Sequence, residues 1–254
     1  MKFHTIIPDN SISLFVRNIW VFENDTETSQ KRLPFFADGF PGLIFQQSEN
    51  GMIVHPHSRI MPEIFLYGQT ISPIELQIPG KYLIVIFQLY PFILKKFFGI
   101  IPESINDDCY YLQDSEEDIL RLKHQLLSYK NVNQKVKIIT NFVLTYFNSK
   151  DQKLDLAIMQ AIEIMLLTNG QEPIGMIIQQ INLNTRTFER RFKNETGLTP
   201  KQFAQIIQFQ ASLKQLITKD FTKLTDIVYH NGFSDQSHFI KVFKAYTGKT
   251  LKNF

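Results

Sequence analysis

The last quarter of this 254-residue chain carries the same pattern twice, and that duplication restricts its possible folds more than any other feature. Residues 191–203 read RFKNETGLTPKQF and residues 242–254 read VFKAYTGKTLKNF. At an offset of 51, Phe192/Phe243, Lys193/Lys244, Thr196/Thr247, Gly197/Gly248, Thr199/Thr250, Lys201/Lys252 and Phe203/Phe254 are identical, as are Phe188/Phe239. Upstream the offset becomes 50, pairing Ile177 with Ile227, Ile178 with Val228, Leu183 with Phe233 and Asn184 with Ser234. Each copy therefore reads as a short helix, a tight turn and a longer helix closed by glycine, which is a helix-turn-helix.

In the first copy, 173–196, Pro173 suits a first helical turn and the helix runs to about Ile181. Asn182 tolerates the left-handed backbone of a tight turn, and Asn184 is placed to cap a second helix. Phe188 and Phe192, four apart, face inward, which leaves Arg186, Glu189, Arg190 and Lys193 outside. In the second copy, 223–247, Ser234 or Asp235 caps, Phe239 and Phe243 face inward, and Gln236, Ser237, His238, Lys241 and Lys244 lie outside or at the edge. Between the copies, Pro200–Thr218 reads as one long helix with an apolar stripe of Phe203, Ile206, Ile207, Leu213 and Leu216. Such a connector would hold two recognition helices about 34 Å apart, one duplex turn, so that both enter successive major grooves.

The side chains fit double-stranded DNA. Arg186 or Arg190 offers a bidentate fork to guanine, Gln236 a bidentate amide to adenine, and Lys193 and Lys244 reach for phosphates. Charge points the same way. Residues 173–254 hold 12 Lys and Arg against 5 Asp and Glu, a net of +7, whereas residues 1–172 hold 15 against 19, a net of −4. A basic module joined to an acidic remainder suits a polyanion partner. The competing reading of the repeat is a helical adaptor that binds only protein.

Length allows two domains, each with its own core. Residues 1–110 are β-rich, with strands expected at Ile12–Phe22, Leu43–Gln47, Met52–His55, Ile64–Tyr67, Ile74–Ile78 and Tyr82–Leu89. Asp38-Gly39, Pro41-Gly42, Glu49-Asn50-Gly51 and Pro79-Gly80 supply turns. This spacing suggests a small cupin-like β-barrel or sandwich, with a short helix in Pro91–Phe98. From Asp114-Ser115-Glu116-Glu117 the period becomes helical. Ile119, Leu122, Leu126 and Leu127 share one face, and Val136, Ile139, Phe142, Val143 and Tyr146 another. This helical hairpin, 114–148, is either a lid on the sheet or a dimer seam. Polar residues 148–153 mark the boundary between a sensor and dimerisation domain, 1–149, and an all-α domain, 150–254; the fold class is α+β.

Little points to catalysis. His55-Pro56-His57 with Glu63 is the one arrangement that suggests a metal site, giving a metal-dependent cupin-like enzyme fused to a DNA-binding module as the alternative; a polar loop is the plainer reading. No phosphate loop, nucleophile elbow or Cys/His pair is visible, so no catalytic residue, cofactor or metal is assigned. The single Cys109, among Asp107, Asp108 and tyrosines, sits where its pKa is expected to rise, against a redox or nucleophilic role. With no signal-peptide-like start and no apolar run near membrane length, the chain is expected in the cytoplasm, away from membranes.

The same C-terminal residues resemble the AraC/XylS family of transcription regulators. Asp226-Ile227, Gly232 through Phe239 and Phe243-Lys244 resemble the family's second helix-turn-helix, and Arg190 through Lys193 with Gly197-Leu198-Thr199-Pro200 the first. The resemblance spans about residues 154–254. It implies that Arg186, Glu189 and Arg190 read bases from one helix and Gln236, Ser237, His238 and Lys241 from the other; with Thr187, Lys193 and Lys244 these make up the expected DNA-binding set. Ile178 and Val228 replace a usual small residue, Gln208 a frequent Arg, and Leu251 a usual Pro. Trp20, Asp38-Gly39, Gly68-Gln69 and the Pro91–Phe98 segment resemble a sensor domain found ahead of some such DNA-binding domains. The implied partners are DNA, a small-molecule effector, a second copy of the chain and, for an activator, RNA polymerase.

Overall fold

The strand Tyr82–Leu89 (β9) is apolar at nearly every position because both of its faces are covered. In the computed structural model, which describes residues 2–26, 30–112, 117–150 and 153–254, this strand lies inside a six-stranded antiparallel sheet. The sheet's other strands are Lys2–Ile6 (β1), Val16–Asn24 (β2), Gly42–Ser48 (β4), Ile64–Tyr67 (β7) and Cys109–Tyr110 (β10), in the order β1-β2-β9-β4-β7-β10. A four-stranded sheet is built from Gln30–Phe35 (β3), Met52–His55 (β5), Arg59–Met61 (β6) and Ile74–Pro79 (β8), in the order β3-β8-β5-β6. Side chains alternate across the larger sheet. Ile44, Phe65, Tyr67, Ile84 and Ile86 meet Leu33, Met52, Val54, Leu76 and Ile78 of the smaller sheet. Leu43, Phe45, Ile64, Leu66, Val85 and Phe87 turn the opposite way, onto the helices.

The larger sheet is thus the middle of three layers. The space between the sheets is filled by side chains, with Tyr67 lying on Gly42 so closely that a Cβ there would come within 2.3 Å of its ring. The helical layer starts with Ile93–Phe98 (α1) and a 3-10 turn, Pro102–Ile105. The hairpin Glu117–Ser128 (α2) and Val132–Asn148 (α3) follows, then Leu156–Leu167 (α4). The C-terminal helices are Ile174–Gln180 (α5), Thr185–Thr196 (α6), Pro200–Thr218 (α7), Leu224–His230 (α8) and Gln236–Thr247 (α9), with a last 3-10 turn at Leu251–Asn253. The fold is α+β, a β-rich N-terminal part followed by a helical C-terminal part.

Several expectations are corrected. Ile12–Phe22 is not one strand: the Asp9 carboxylate accepts from Ser11 N at 2.9 Å, residues 10–15 turn, and β2 starts at Val16. The strands β1, β3, β6 and β10 were not anticipated, and each is the edge of its sheet. Leu127 is exposed, outside the α2 stripe of Ile119, Leu122 and Leu126. The helix-start residues 114–116, and residues 151–152 of the expected boundary, lie outside the described residues. Nor is there one core for each half: beside the cluster between the sheets, a second is shared by both halves. One apolar cluster runs from Ile12 through Met165 to Tyr246, because Phe203 of α7 meets Phe40 ring to ring at 5.6 Å, and Gly39 lets the chain lie against Phe203 and Ile206.

Candidate nucleic-acid interface

The two helix-turn-helix copies use the same local devices. In the first, Asn182 has φ +53° at the turn, and the Asn184 side chain accepts from Thr187 N at 2.8 Å to cap α6. In the second, Gly232 has φ +73°, and Asp235 Oδ1 accepts from His238 N at 2.8 Å to cap α9. That bond holds the Asp235 carboxyl below its ordinary range. Both longer helices end on a left-handed glycine, Gly197 or Gly248, whose N–H donates to Lys193 O at 2.7 Å or Lys244 O at 2.9 Å. Thr196 and Thr247 repeat one motif: each hydroxyl donates back to the carbonyl four residues earlier and accepts from the N–H two residues later.

The inward faces are aromatic. Phe188, Phe192 and Phe203 stack edge-on in series, with ring centroids 5.5 and 5.7 Å apart. Phe239 and Phe243 continue to Phe209 of α7 and to Phe254. Fixing one face of each helix this way dictates the other. Arg186, Glu189, Arg190 and Lys193 on α6, and Gln236, Ser237, Lys241 and Lys244 on α9, are exposed, while Thr187 and His238 are half-buried.

These residues are not equivalent. Arg186, Arg190, Lys241 and Lys244 make no ion pair among the described residues, whereas Lys193 Nζ lies 2.9 Å from Glu103 Oε1. His238 sits between neighbours, with Nε2 3.3 Å from Gln205 Nε2 of α7, Nδ1 3.3 Å from Ser234 Oγ, and its ring edge-on to Phe233. Gln205 also accepts from Tyr246 at 3.0 Å, so the connector helix fixes this part of α9. Asn231 ties the second turn to α7 through Gln215 at 2.6 Å. His230, the last residue of α8, is exposed.

Sequence reasoning overlooked Asn194, Thr199 and Lys201. With Glu189, Arg190 and Lys193 they line a cleft of about 710 Å³ whose opposite wall is Ile101, Pro102 and Glu103. Lys201 is a member of the repeat, paired with Lys252, so a signal for it was present.

The histidines before β6 take separate partners. His55 bonds Gln77 at 2.8 Å and Ser58 at 3.3 Å, His57 meets the Asp107 carbonyl at 3.1 Å, and Glu63 pairs with Lys123 at 3.0 Å. Among the described residues no group of three or more His, Cys, Asp and Glu could hold a metal ion. Burial, more than neighbouring Asp108, pushes the Cys109 thiol up to about 12. No described helix is long and apolar enough to cross a membrane.

Comparison with known proteins agrees with this arrangement. Residues 177–254 match a family described as a helix-turn-helix domain, and residues 4–111 match a domain of unknown function, DUF6597. HTH-type transcriptional activators RhaS from Escherichia coli strains are 34–35% identical over 68 residues, which is 27% of this chain and 24% of theirs. The chain therefore matches about a quarter of the length of these curated relatives. The crystal structure of ToxT from Vibrio cholerae is similar over 99% of this chain and 97% of its own, with a TM-score of 0.50 and 16% identity. A second ToxT structure, bound to (E)-4-(8-methylnaphthalen-1-yl)but-3-enoic acid, gives a TM-score of 0.50 at 14% identity, with the same coverage. At this identity the likeness is one of fold.

Proposed function

We propose that the chain, whose C-terminal helix-turn-helix region resembles the AraC/XylS family, is a sequence-specific DNA-binding transcription regulator that lays α6 and α9 in successive major grooves. The observation that carries this reading is the repeated geometry: two capped helices, each pinned by a phenylalanine pair, each with an exposed polar and cationic face. In this reading Arg186, Thr187, Glu189 and Arg190 read bases from α6, and Gln236, Ser237, His238 and Lys241 from α9. Lys193 and Lys244, near the helix ends, hold phosphates. The protein works where its DNA is, in the cytoplasm, and carries out no catalysis of its own. It divides near residue 150 into a sensing part and a DNA-binding part. As an activator it would contact RNA polymerase.

A small organic effector is the expected input. With the space between the sheets filled, the supporting features are clefts at the junction of the two parts, such as one of about 300 Å³ lined by Leu14, Tyr90, Phe92, Met159, Ile162 and Leu166. The α2–α3 face, where Leu122, Ile138 and Phe142 line a groove, suits a second copy of the chain. The test is selection of bound sequences from a random duplex pool by the full chain. The expected result is two half-sites about 10 base pairs apart, bound with an affinity that falls steeply as salt rises. Recovery of no enriched sequence would overturn the reading.

A further inference from the structure

The two recognition helices are not equally available. Against one flank of α6 stands the 3-10 turn that begins at Pro102. Lys193 and Glu103 are paired there, each about half exposed. Gly197 lies so close to this turn that a Cβ would come within 2.7 Å of Glu103 N and 2.9 Å of the Pro102 carbonyl carbon. Buried Glu195 is approached by Lys96 at 3.5 Å and Lys95 at 3.7 Å, and Asn106 donates to Gly197 O at 3.5 Å. Four polar contacts from residues 95–106, and the close packing of Gly197 on the turn, thus hold the C-terminal end of α6. By contrast, no side chain of the N-terminal part pairs with Gln236, Ser237, Lys241 or Lys244 of α9 among the described residues.

A helix lying in the major groove, about 12 Å wide, has a sugar–phosphate strand along each flank, so both flanks must be open to a polyanion. One flank of α6 is occupied, and by a carboxylate. We propose that residues 101–103 act as an intramolecular competitor for the first recognition helix, with the Glu103 carboxylate holding Lys193 where a DNA phosphate would otherwise sit. This rests on the DNA-binding reading of α6. The consequence is stepwise engagement. The α9 unit docks first, and α6 follows once phosphate displaces Glu103 and the turn moves off that flank. Because the ion pair is solvent-exposed, it tunes affinity rather than blocking binding. An effector that shifts α1 or the turn would change affinity at one half-site only.

The test measures affinity of the full chain for its selected duplex in wild type, Glu103→Gln, Lys193→Gln and the double variant, with thermal melting as a fold control. Glu103→Gln is expected to tighten binding about two- to fivefold and to extend the footprint over the α6 half-site. In the Lys193→Gln background the same change is expected to leave affinity unaltered. Equal tightening in both backgrounds would mean that Glu103 merely repels DNA at a distance, and would overturn the proposal, as would no tightening in either. If no variant bound any duplex, the DNA-binding reading would fall, and this one with it.

Discussion

The two repeat units begin from nearly the same sequence and end in different surroundings. Gly197 and Gly248 are both left-handed helix caps, and both face the N-terminal part of the molecule. Gly197 abuts backbone, the Pro102–Glu103 peptide, within a clamp of charges. Gly248 meets only the ring of Pro73, at 3.2 Å, and its unit is steadied by the Phe36–Phe254–Phe243 contacts and by Ala37 N bonding Tyr246 O at 3.4 Å. A duplicated sequence therefore specifies a duplicated local fold but not a duplicated environment. What differs is supplied by the rest of the chain, and it leaves a cationic side chain of one recognition helix paired and those of the other unpaired among the described residues.

The largest effect should come from the aromatic pins. Phe192→Ala, fully buried between Phe188 and Phe203, is expected to cost about 3–5 kcal/mol of stability by urea denaturation. A similar cost for Phe243→Ala would mean that the inward faces remain equivalent where the flanks do not. The caps should separate the units. Gly197→Ala combines a positive φ with a backbone clash and is expected to lose about 2–4 kcal/mol, against about 1–2 kcal/mol for Gly248→Ala, whose neighbour is a side chain. Equal losses would break the comparison. On DNA, Arg190→Ala should relax preference at one base pair by about 1–3 kcal/mol, whereas Lys193→Ala should weaken all sequences alike and lower the salt slope by about 1.

The smallest effect tests the turn on which α7 leans. Asp38 accepts from Phe40 N at 3.0 Å and from Gln88 at 2.7 Å, and Gln88 in turn accepts from Asn18. The residue keeps some solvent contact, yet its carboxyl is crowded enough that desolvation pushes it up to about 6, although Arg17 opposes the shift. A carboxyl raised on folding binds more protons folded than unfolded between about pH 4 and 6. Its contribution to stability is therefore greatest below that window and declines as pH rises through it. Asp38→Asn should remove the decline, narrowing the pH 4.5-to-7 difference in unfolding free energy by about 1–2 kcal/mol relative to wild type. An unchanged difference would show that the carboxyl is well solvated.

The readability of each element followed from how much surface it buries. Central strands β9, β4, β7 and β5 have apolar patterns imposed by one or two covered faces, and their sequences announced them. The edge strands β1, β3, β6 and β10 bury little, β1 being almost wholly exposed, so periodicity carried no signal for them. The outward faces of α6 and α9 were legible because an i, i+4 phenylalanine pair fixes a helix's orientation whatever surrounds it. Glu103 was not, since it pairs with a lysine 90 positions away. His238 lost its expected freedom for the same reason: Gln205, on another helix, could not be matched to it from spacing.

By itself the sequence determined what depends on neighbours a few residues apart: turns, caps, helix faces, the repeat and the charge contrast between its two parts. Tertiary structure decided how those pieces meet. It joined the helices and one face of the larger sheet in a shared core through Phe40 and Phe203, packed a second apolar cluster between the sheets, and set a carboxylate beside one recognition helix. Local chemistry is written in residue spacing, whereas contacts between distant segments depend on how whole layers pack, and no short pattern encodes that.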